Sequence, residues 1–332
     1  MAEPVLDERL REFLRSVAAG TSQFRPLDKS IDINTLPPND CLMFGLPPRP
    51  APGTAPLALW QDLATSRVMK GAGPEILPMS ALRTGYNRLD LKGHQETSRN
   101  WSGAVIASPY RSRPFDCLIG IWAVPDFRLP AQATEKEYAC STWIGFDGHR
   151  RNSRSLPQLG TVQRLTNDGF GNYIQTIKGW RQWWYKNPTI GPIEYSNSTF
   201  PVSIGDRIVA SLFFIPNIGV LKNMINIDTG IPIIPVLVPA PDPQLEPRAL
   251  DAECVLERPK RINAPYTNFV APQFEDTTFR CYASLRGETG FRTMNGARLI
   301  RMIHRRGPQI ETIAAPDPVR DRKDVTVRYC LH

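Results

Sequence analysis

Ala252-Glu253-Cys254-Val255-Leu256-Glu257 is the stretch of sequence that decides the fold. Side chains of a β-strand point alternately to its two faces, so Glu253, Val255 and Glu257 share one face while Cys254 and Leu256 point into a core. The stretch therefore predicts a strand that carries two carboxylates on one side of a sheet.

Short runs of similar character recur through the rest of the chain, and they are rich in β-branched and aromatic residues. They cover residues 103–107, 117–124, 140–145, 174–184, 207–215, 252–256, 278–285 and 325–331. The 32 prolines and 23 glycines of the 332-residue chain cut it into short pieces, which argues against long helices. Strand and helix do not alternate as in βαβ units, and neither Gly-x-Gly-x-x-Gly nor a Walker phosphate loop is present. These features predict an all-β protein of antiparallel strands in two sheets.

The N-terminal part of the chain has a different sequence pattern. Leu6, Leu10, Phe13, Leu14 and Val17 recur at helical spacing, which predicts an amphipathic helix over residues 4–19. The following residues, up to about 97, are rich in proline and lack periodicity, apart from one short helix predicted over residues 57–68. We therefore expect an N-terminal extension over residues 1–97 and a β-sandwich domain over residues 98–332.

Charge and cysteine content restrict the class of partner. The net charge of +8 comes from basic residues that are scattered along the chain, without the aromatic and glycine pattern of an RNA-binding sheet. The six cysteines lie far apart, with no Cys-x-x-Cys and no histidine at ligand spacing. No segment supplies the roughly 20 apolar residues that span a bilayer. We expect no nucleic acid, membrane, metal or cofactor to be bound, and a monomer.

The common nucleophilic hydrolases are poorly supported by the sequence. Gly-x-Ser-x-Gly is absent, and the only possible histidine bases, which are His94, His149, His304 and His332, lie in loop-like or basic contexts. None of the cysteines lies in a recognisable activated setting. A serine or cysteine enzyme is therefore disfavoured.

A series of short motifs in a fixed order carries a resemblance to a known family. The motifs are Asn100-Trp101-Ser102-Gly103-Ala104-Val105, Trp122-Ala123-Val124-Pro125, Trp143-Ile144-Gly145-Phe146-Asp147-Gly148, Leu156-Pro157-Gln158-Leu159-Gly160, Gly205-Asp206-Arg207-Ile208, Asn226-Ile227-Asp228-Thr229-Gly230, Ala252-Glu253-Cys254-Val255-Leu256-Glu257 and Asp324-Val325-Thr326-Val327-Arg328-Tyr329. No single motif is specific, but their common order over residues 98–330 resembles the glutamic peptidases, or eqolisins. The resemblance implies a concanavalin- or lectin-like sandwich of two curved antiparallel sheets, with substrate lying across the concave sheet.

The resemblance also implies roles for individual residues. Gln158 lies in the family's Gln-x-Gly element and Glu257 ends its Ala-Glu-x-x-x-Glu strand, so these two residues are the predicted catalytic pair. Glu257 would act as general base and then general acid, and the amide of Gln158 would stabilise the oxyanion. The remaining predicted site residues, which would bind substrate or hold the site, are Trp143, Asp147, Gln182, Trp101 and Glu253. A protein or peptide substrate is implied.

Two departures from the family pattern bear on activity. Gln182 replaces a cleft carboxylate, and Arg181 adds a cation nearby, which predicts a displaced pH optimum or a non-catalytic member. Arg150, Arg151 and Arg154 replace small polar residues and predict a preference for acidic peptides.

Two further expectations concern alternatives and processing. The same sandwich hosts lectins, and Trp180, Trp183 and Trp184 could form a sugar-stacking platform in a non-catalytic carbohydrate- or peptide-binding protein. Residues 44–50, with Trp60, are similar to the pro-segment of bacterial relatives, which implies an extension that covers the cleft and leaves in acid. The family is largely secreted whereas the N-terminus of this sequence shows no signal peptide, so the localisation stays open.

Overall fold

The computed structural model describes most of the chain. The described residues are 6–28, 30–67, 76–78, 82–83, 88–91, 95–110, 113–149, 153–185, 191–261, 267–306, 308–317 and 324–331. The helices are α1 Glu8–Ala18 and α2 Leu57–Arg67, with short 3-10 helices at Pro38–Phe44 and Pro243–Leu245. Helix α1 begins after Asp7, whose carboxylate accepts a hydrogen bond of 2.7 Å from the backbone N–H of Leu10. Both predicted helices are confirmed within the described residues.

The rest of the described chain is mainly β-structure. In chain order the strands are β1 Ile76–Pro78, β2 Leu82–Arg83, β3 Arg88–Leu91, β4 Gln95–Ser98, β5 Trp101–Ala107, β6 Phe115–Ala123, β7 Phe127–Arg128, β8 Glu137–Phe146, β9 Ser155–Asn167, β10 Tyr173–Tyr185, β11 Ile193–Tyr195, β12 Arg207–Ile215, β13 Gly219–Asn226, β14 Ile231–Pro232, β15 Val236–Val238, β16 Asp251–Glu257, β17 Lys260–Arg261, β18 Gln273–Phe274, β19 Thr277–Leu285, β20 Phe291–Thr293, β21 Arg298–Arg306, β22 Gln309–Pro316 and β23 Asp324–Tyr329. The prediction of an all-β protein is confirmed.

The strands form two layers, which we call the front sheet and the back sheet. The front sheet has the order β11-β10-β9-β8-β16-β5-β21 and is antiparallel throughout. The back sheet has the order β23-β19-β6-β12-β13-β15 and is likewise antiparallel. Strand β22 pairs with both β21 and β23, so the two layers are continuous at one edge.

A large apolar core fills the space between the two sheets. Fully buried side chains from the front sheet, such as Ile144 and Cys254, pack there with side chains from the back sheet, such as Trp122 and Leu212. Each fully buried side chain of this size contributes about 1.5–3 kcal/mol of hydrophobic free energy. Because alternate residues of each front strand enter this core, the intervening residues must point to the outer face of the front sheet.

The N-terminal helices pack on the outer face of the back sheet. Leu14, Leu42 and Trp60 share a second buried cluster with Val209 and Leu221 of β12 and β13. Residues 6–67 are thus part of the folded sandwich. The proline-rich part of these residues was predicted to cover the cleft, and that prediction is wrong, because its apolar side chains are buried on the opposite side of the molecule.

The next part of the chain meets the front sheet. Strand β1 extends it at β11, β2 pairs with β17, and β4 runs parallel to β21 near the opposite edge. Strands β1 and β4 therefore lie at opposite edges of the front sheet.

No helix among the residues described is long and apolar enough to cross a membrane. The six cysteines are free thiols, and all but Cys330 are buried.

Candidate active site

All seven predicted site residues lie on strands of the front sheet or directly after one. They are Trp101 on β5, Trp143 on β8, Asp147 just after β8, Gln158 on β9, Gln182 on β10, and Glu253 and Glu257 on β16. On β16, Ala252, Cys254 and Leu256 enter the core between the sheets, so Glu253 and Glu257 point to the outer face. The predicted alternation of this strand is confirmed.

The registers of four strands bring three polar residues into one row across the outer face. Glu253 lies opposite Gly145, Gly145 lies opposite Gln158, and Gln158 lies opposite Gln182. Neighbouring strands are about 4.8 Å apart, so the Cα atoms of Glu253 and Gln158 are about 10 Å apart. Gly145 has no side chain, and the side chains of Trp143 and Leu156 pack closely against it between Glu253 and Gln158.

The two glutamines of the row are joined by a hydrogen bond. Nε2 of Gln158 donates to Oε1 of Gln182 over 3.1 Å, and both side chains are buried. The amide of Gln182 thus orients the amide of Gln158 from the side opposite to Glu253.

Glu253 is the carboxylate of the row. It is fully buried, and neither of its oxygens has a well-formed hydrogen bond to a described residue. Burial raises its pKa well above the usual range, and the carboxylates of Asp251 and Asp147 raise the pKa further, while the backbone N–H of His149 opposes the shift. A buried carboxylate with a raised pKa is a strong proton acceptor once it is ionised.

Glu257 lies in a different part of the outer face. It is four residues beyond Glu253 along β16, which is about 13 Å at the rise of a β-strand. Its Oε1 accepts a hydrogen bond of 2.9 Å from Nδ2 of Asn100, and its Oε2 accepts one of 3.0 Å from Nε1 of Trp143. The structure therefore brings Gln158 together with Glu253, whereas the carboxylate of Glu257 is held by two donors. The assignment of Glu257 as the catalytic partner of Gln158 stays a prediction that the register does not favour.

Two of the predicted tryptophans form a buried pair. The rings of Trp101 and Trp143 meet edge to face, with centroids 4.9 Å apart and an interplanar angle of 76°. Both are fully buried, and the indole N–H of Trp143 is the donor that holds Glu257. On the outer face of the front sheet, this tryptophan pair lies between Glu257 and the row that contains Gln158.

Asp147 fixes the segment that leads into β16. Its carboxylate oxygens accept hydrogen bonds from the backbone N–H groups of Ala249, at 2.7 Å, and Leu250, at 2.9 Å. Ala249 has a φ of 47°, a left-handed conformation that is strained for a residue with a side chain. Burial raises the pKa of Asp147 to about 6, in opposition to those backbone N–H groups. Asp147 thus fixes the position at which β16 begins, and thereby the position of Glu253 on that strand.

Two expectations about the cleft are corrected by the orientation of β10. Arg181 points away from the outer face and affects Tyr195 and Lys222 on its inner side, so it adds no cation beside Glu253. Trp180 is fully buried and donates to Oγ of Ser141, and Trp183 enters the core between the sheets. The three tryptophans of β10 do not form an exposed stacking platform.

Two residues of the site were missed by the sequence interpretation. Asn100 was recognised only as part of a motif, although it holds Glu257. Lys222 on β13 is fully buried and donates to the backbone carbonyl groups of Gln158 and Gln182. A lysine in a strand that also carries Val220, Leu221, Met224 and Ile225 is the signal that could have found it. Of the arginines predicted to favour acidic peptides, Arg154 is exposed, and Arg150 and Arg151 lie outside the described residues.

Within the described ranges, no group of three histidine, cysteine or acidic residues is placed to hold a metal ion. A two-sheet sandwich that presents a glutamine and a buried glutamate in one row of its front sheet has the architecture of the glutamic class of hydrolases.

Comparison with known proteins assigns the family. Residues 99–329 match the Peptidase A4 family, so the chain belongs to this family of glutamic peptidases and is a glutamic endopeptidase. No curated protein matches the sequence. The resemblance inferred from the ordered motifs is confirmed.

Solved structures support the fold. Scytalido-glutamic peptidase with a transition state analog inhibitor is 18% identical, and the match covers 70% of this chain and 98% of that chain with a TM-score of 0.55. SCP-B, a member of the eqolisin family in a complex with the tripeptide Ala-Ile-His, is 16% identical over 70% of this chain and 98% of its own, with a TM-score of 0.50. At these identities the likeness shows the β-sandwich fold, as predicted.

Proposed function

We propose that the protein hydrolyses peptide bonds in the acid range with Glu253 as the general base and acid and Gln158 as the oxyanion donor. The observation that supports this proposal is the row in which Gly145 separates these two side chains. We assign to Glu253 the role that the family resemblance implied for Glu257, because Glu253 lies level with Gln158, whereas the carboxylate of Glu257 is held by Asn100 and Trp143.

The proposed reaction uses one water molecule and one peptide bond. Ionised Glu253 removes a proton from the water as its oxygen attacks the peptide carbonyl carbon. The carbonyl oxygen becomes an oxyanion, which the amide of Gln158 stabilises by about 3 kcal/mol when the donor is already oriented. Protonated Glu253 then gives the proton to the leaving amine as the carbon–nitrogen bond breaks.

The environment of Glu253 suits this double role. Burial and the neighbouring carboxylates favour its protonated form, so the proton that it takes up stays available for the leaving group. The same shift makes the ionised form that acts as base scarce at acid pH, so the rate should rise with pH toward the pKa of Glu253. The amide of Gln158 remains neutral at any pH. Gln182 keeps that amide oriented through a hydrogen bond and adds no charge, so the loss of the family's carboxylate at this position leaves the pair intact.

Residues 1–97 form the second part of the proposal. Helices α1 and α2 pack on the back sheet and belong to the mature fold, whereas strands β1 and β4 pair at opposite edges of the front sheet. We infer that the removable inhibitory segment lies C-terminal to α2 and includes β1, which extends the front sheet at β11. The proline-rich residues before α2 are outside it.

The assignment is tested by comparing Glu253→Gln with Glu257→Gln in the purified protein. Denatured haemoglobin or casein is offered across the acid to neutral range, and folded enzyme is quantified by circular dichroism. Glu253→Gln should lower kcat by about 10²–10⁴, the usual contribution of a general base. Glu257→Gln places an NH₂ group against one of two donors, so it should cost about 1–3 kcal/mol of stability and leave kcat per folded molecule within about tenfold.

The reverse pattern, in which only Glu257→Gln abolishes cleavage by folded protein, would assign the base to Glu257. Absence of cleavage by the wild-type protein at every pH would contradict the proposed activity.

A further inference from the structure

Lys222 is a buried cation directly behind the candidate site. It lies on β13 of the back sheet, and Val220 and Met224 on the same face of that strand are buried in the core between the sheets. Its side chain therefore points through this core toward the front sheet, and it is fully buried. Burial and the nearby Arg181 lower its pKa well below the usual range.

The ammonium group contacts the backbone of the two glutamines of the row. Nζ donates to the backbone oxygen of Gln158 over 3.1 Å and to that of Gln182 over 2.6 Å, and it lies 5.9 Å from the ring centroid of Trp183. An ammonium is costly to bury, and a leucine or methionine would fill the same core position without that cost. The position of the cation thus needs a reason other than packing.

The backbone of β9 gives that reason. Strand β8 pairs with β9 no further than Gly145 opposite Gln158, while β10 continues to pair along the rest of β9. The residue that precedes Gln158 in β9 is Pro157, which has no backbone N–H to donate to either neighbouring strand. The sheet ladder is therefore weakest at the point where Gln158 must hold its side chain in place.

We propose that Lys222 is a positioning residue that ties β9 to β10 from behind and so fixes the backbone from which the Gln158 amide reaches the substrate. This inference rests on the proposed role of Gln158 as oxyanion donor. The lysine does not touch substrate, because the front sheet lies between it and the outer face.

The test compares Lys222→Met, which keeps the length of the side chain and removes the donors, with Met224→Ala on the same face of the same strand. Displacement of a catalytic group by about 1 Å costs roughly hundredfold in rate. We therefore expect Lys222→Met to lower kcat about 10- to 100-fold with KM changed less than about threefold. Met224→Ala should lower the midpoint of urea unfolding and leave kcat unchanged. Lys222→Gln, which keeps two N–H donors, should have an intermediate kcat.

A second measurement does not depend on activity. Backbone hydrogen exchange should accelerate in Lys222→Met for peptides from residues 155–160 and 180–185 but not for a peptide from residues 251–257. If wild-type protein cleaves nothing, the proposed function fails, and the exchange pattern still decides the role of Lys222.

Normal kcat and unchanged exchange in folded Lys222→Met would overturn the proposal. Failure of both lysine variants to fold, with Met224→Ala folded, would also overturn it, since Lys222 would then be required for stability of the whole sandwich.

Discussion

Gly145 is the residue on which the geometry of the row depends. It lies between Glu253 and Gln158, and a Cβ atom added there would be 2.8 Å from Cζ3 of Trp143 and 3.0 Å from Cδ1 of Leu156. The backbone of Gly145 has no positive φ, so glycine is needed there because Trp143 and Leu156 approach the backbone closely.

We expect Gly145→Ala to lower kcat/KM by roughly hundredfold, because the new methyl group displaces Trp143 or Leu156 beside the catalytic pair. Overpacking should also cost about 1–3 kcal/mol of unfolding free energy. Steady-state kinetics and urea unfolding measure the two effects separately.

Gly290→Ala is the matched control, because a Cβ atom at this exposed glycine meets nothing within 4 Å. It should leave both quantities unchanged. Full activity of Gly145→Ala would show that the packing of Trp143 and Leu156 against Gly145 does not position the proposed pair.

The choice between the two glutamates shows what a local pattern can predict. Alternation along β16 correctly places Glu253 and Glu257 on the same face, since it depends only on strand geometry. Which of them meets Gln158 depends on the registers of β16 with β8 and of β8 with β9, and these are set by distant residues. Those registers cannot be predicted from a sequence motif alone.

At the scale of elements, β9 is one of the long strands that were not predicted, together with β13, β21 and β22. Pro157 and Gly160 indicate a turn, yet both lie within β9. Proline is tolerated because β8 no longer pairs there, and Gly160 is needed because a Cβ atom would be 2.1 Å from the backbone oxygen of Thr142. Residues that usually interrupt a strand are used here to bring neighbouring strands close to the site.

The helices on the back sheet lead to a prediction about the N-terminal extension. Trp60 of α2 is fully buried, and its Nε1 donates to the backbone oxygen of Pro47 over 2.8 Å. We expect Trp60→Ala to lower the free energy of unfolding of the whole domain by about 3–5 kcal/mol, since it removes a large core side chain. Urea unfolding followed by circular dichroism at strand wavelengths measures the change.

Phe170→Ala, at a side chain that is 92% exposed, should change stability by less than about 0.5 kcal/mol. If Trp60→Ala leaves the unfolding of the strands unchanged, residues 6–67 are a separable unit.

At the scale of the whole molecule, buried carboxylates set how stability depends on pH. Burial raises the pKa of Asp147 and of Asp116 to about 6 in the folded protein, against 3.8 for the unconstrained group. Between these two values the folded state binds more protons than the unfolded state, so stability falls as pH rises. Each group contributes at most about 3 kcal/mol, which is fully present below pH 3.8 and lost above pH 6.

We therefore expect Asp147→Asn to flatten the fall in unfolding free energy between about pH 4 and pH 6.5 by up to about 3 kcal/mol. Urea unfolding at a series of pH values gives this slope, which is independent of any constant cost of the substitution. Asp168→Asn, at an exposed turn, serves as the control with an unchanged slope over the same range. A slope equal to that of the wild type in Asp147→Asn would show that Asp147 is ionised throughout.

The overall architecture could be predicted from the sequence more completely than the arrangement of the candidate site. Strand periodicity and the ordered motifs predicted the sandwich because each depends on local patterns repeated many times. The position of residues 6–67 was not predictable in the same way, since Leu42 and Trp60 acquire their partners only from β12 and β13, more than a hundred residues further along the chain.

The bond between Asn100 and Glu257 joins residues that are 157 positions apart in the chain. Strand β16, which carries both glutamates, pairs with β5 and β8, so its place in the front sheet exists only after the ribosome has made most of the protein. Such a high contact order favours slow folding, because distant segments must meet before their contacts stabilise them. A nascent chain therefore cannot assemble the row of Gln158 and Glu253 until β16 has been synthesised.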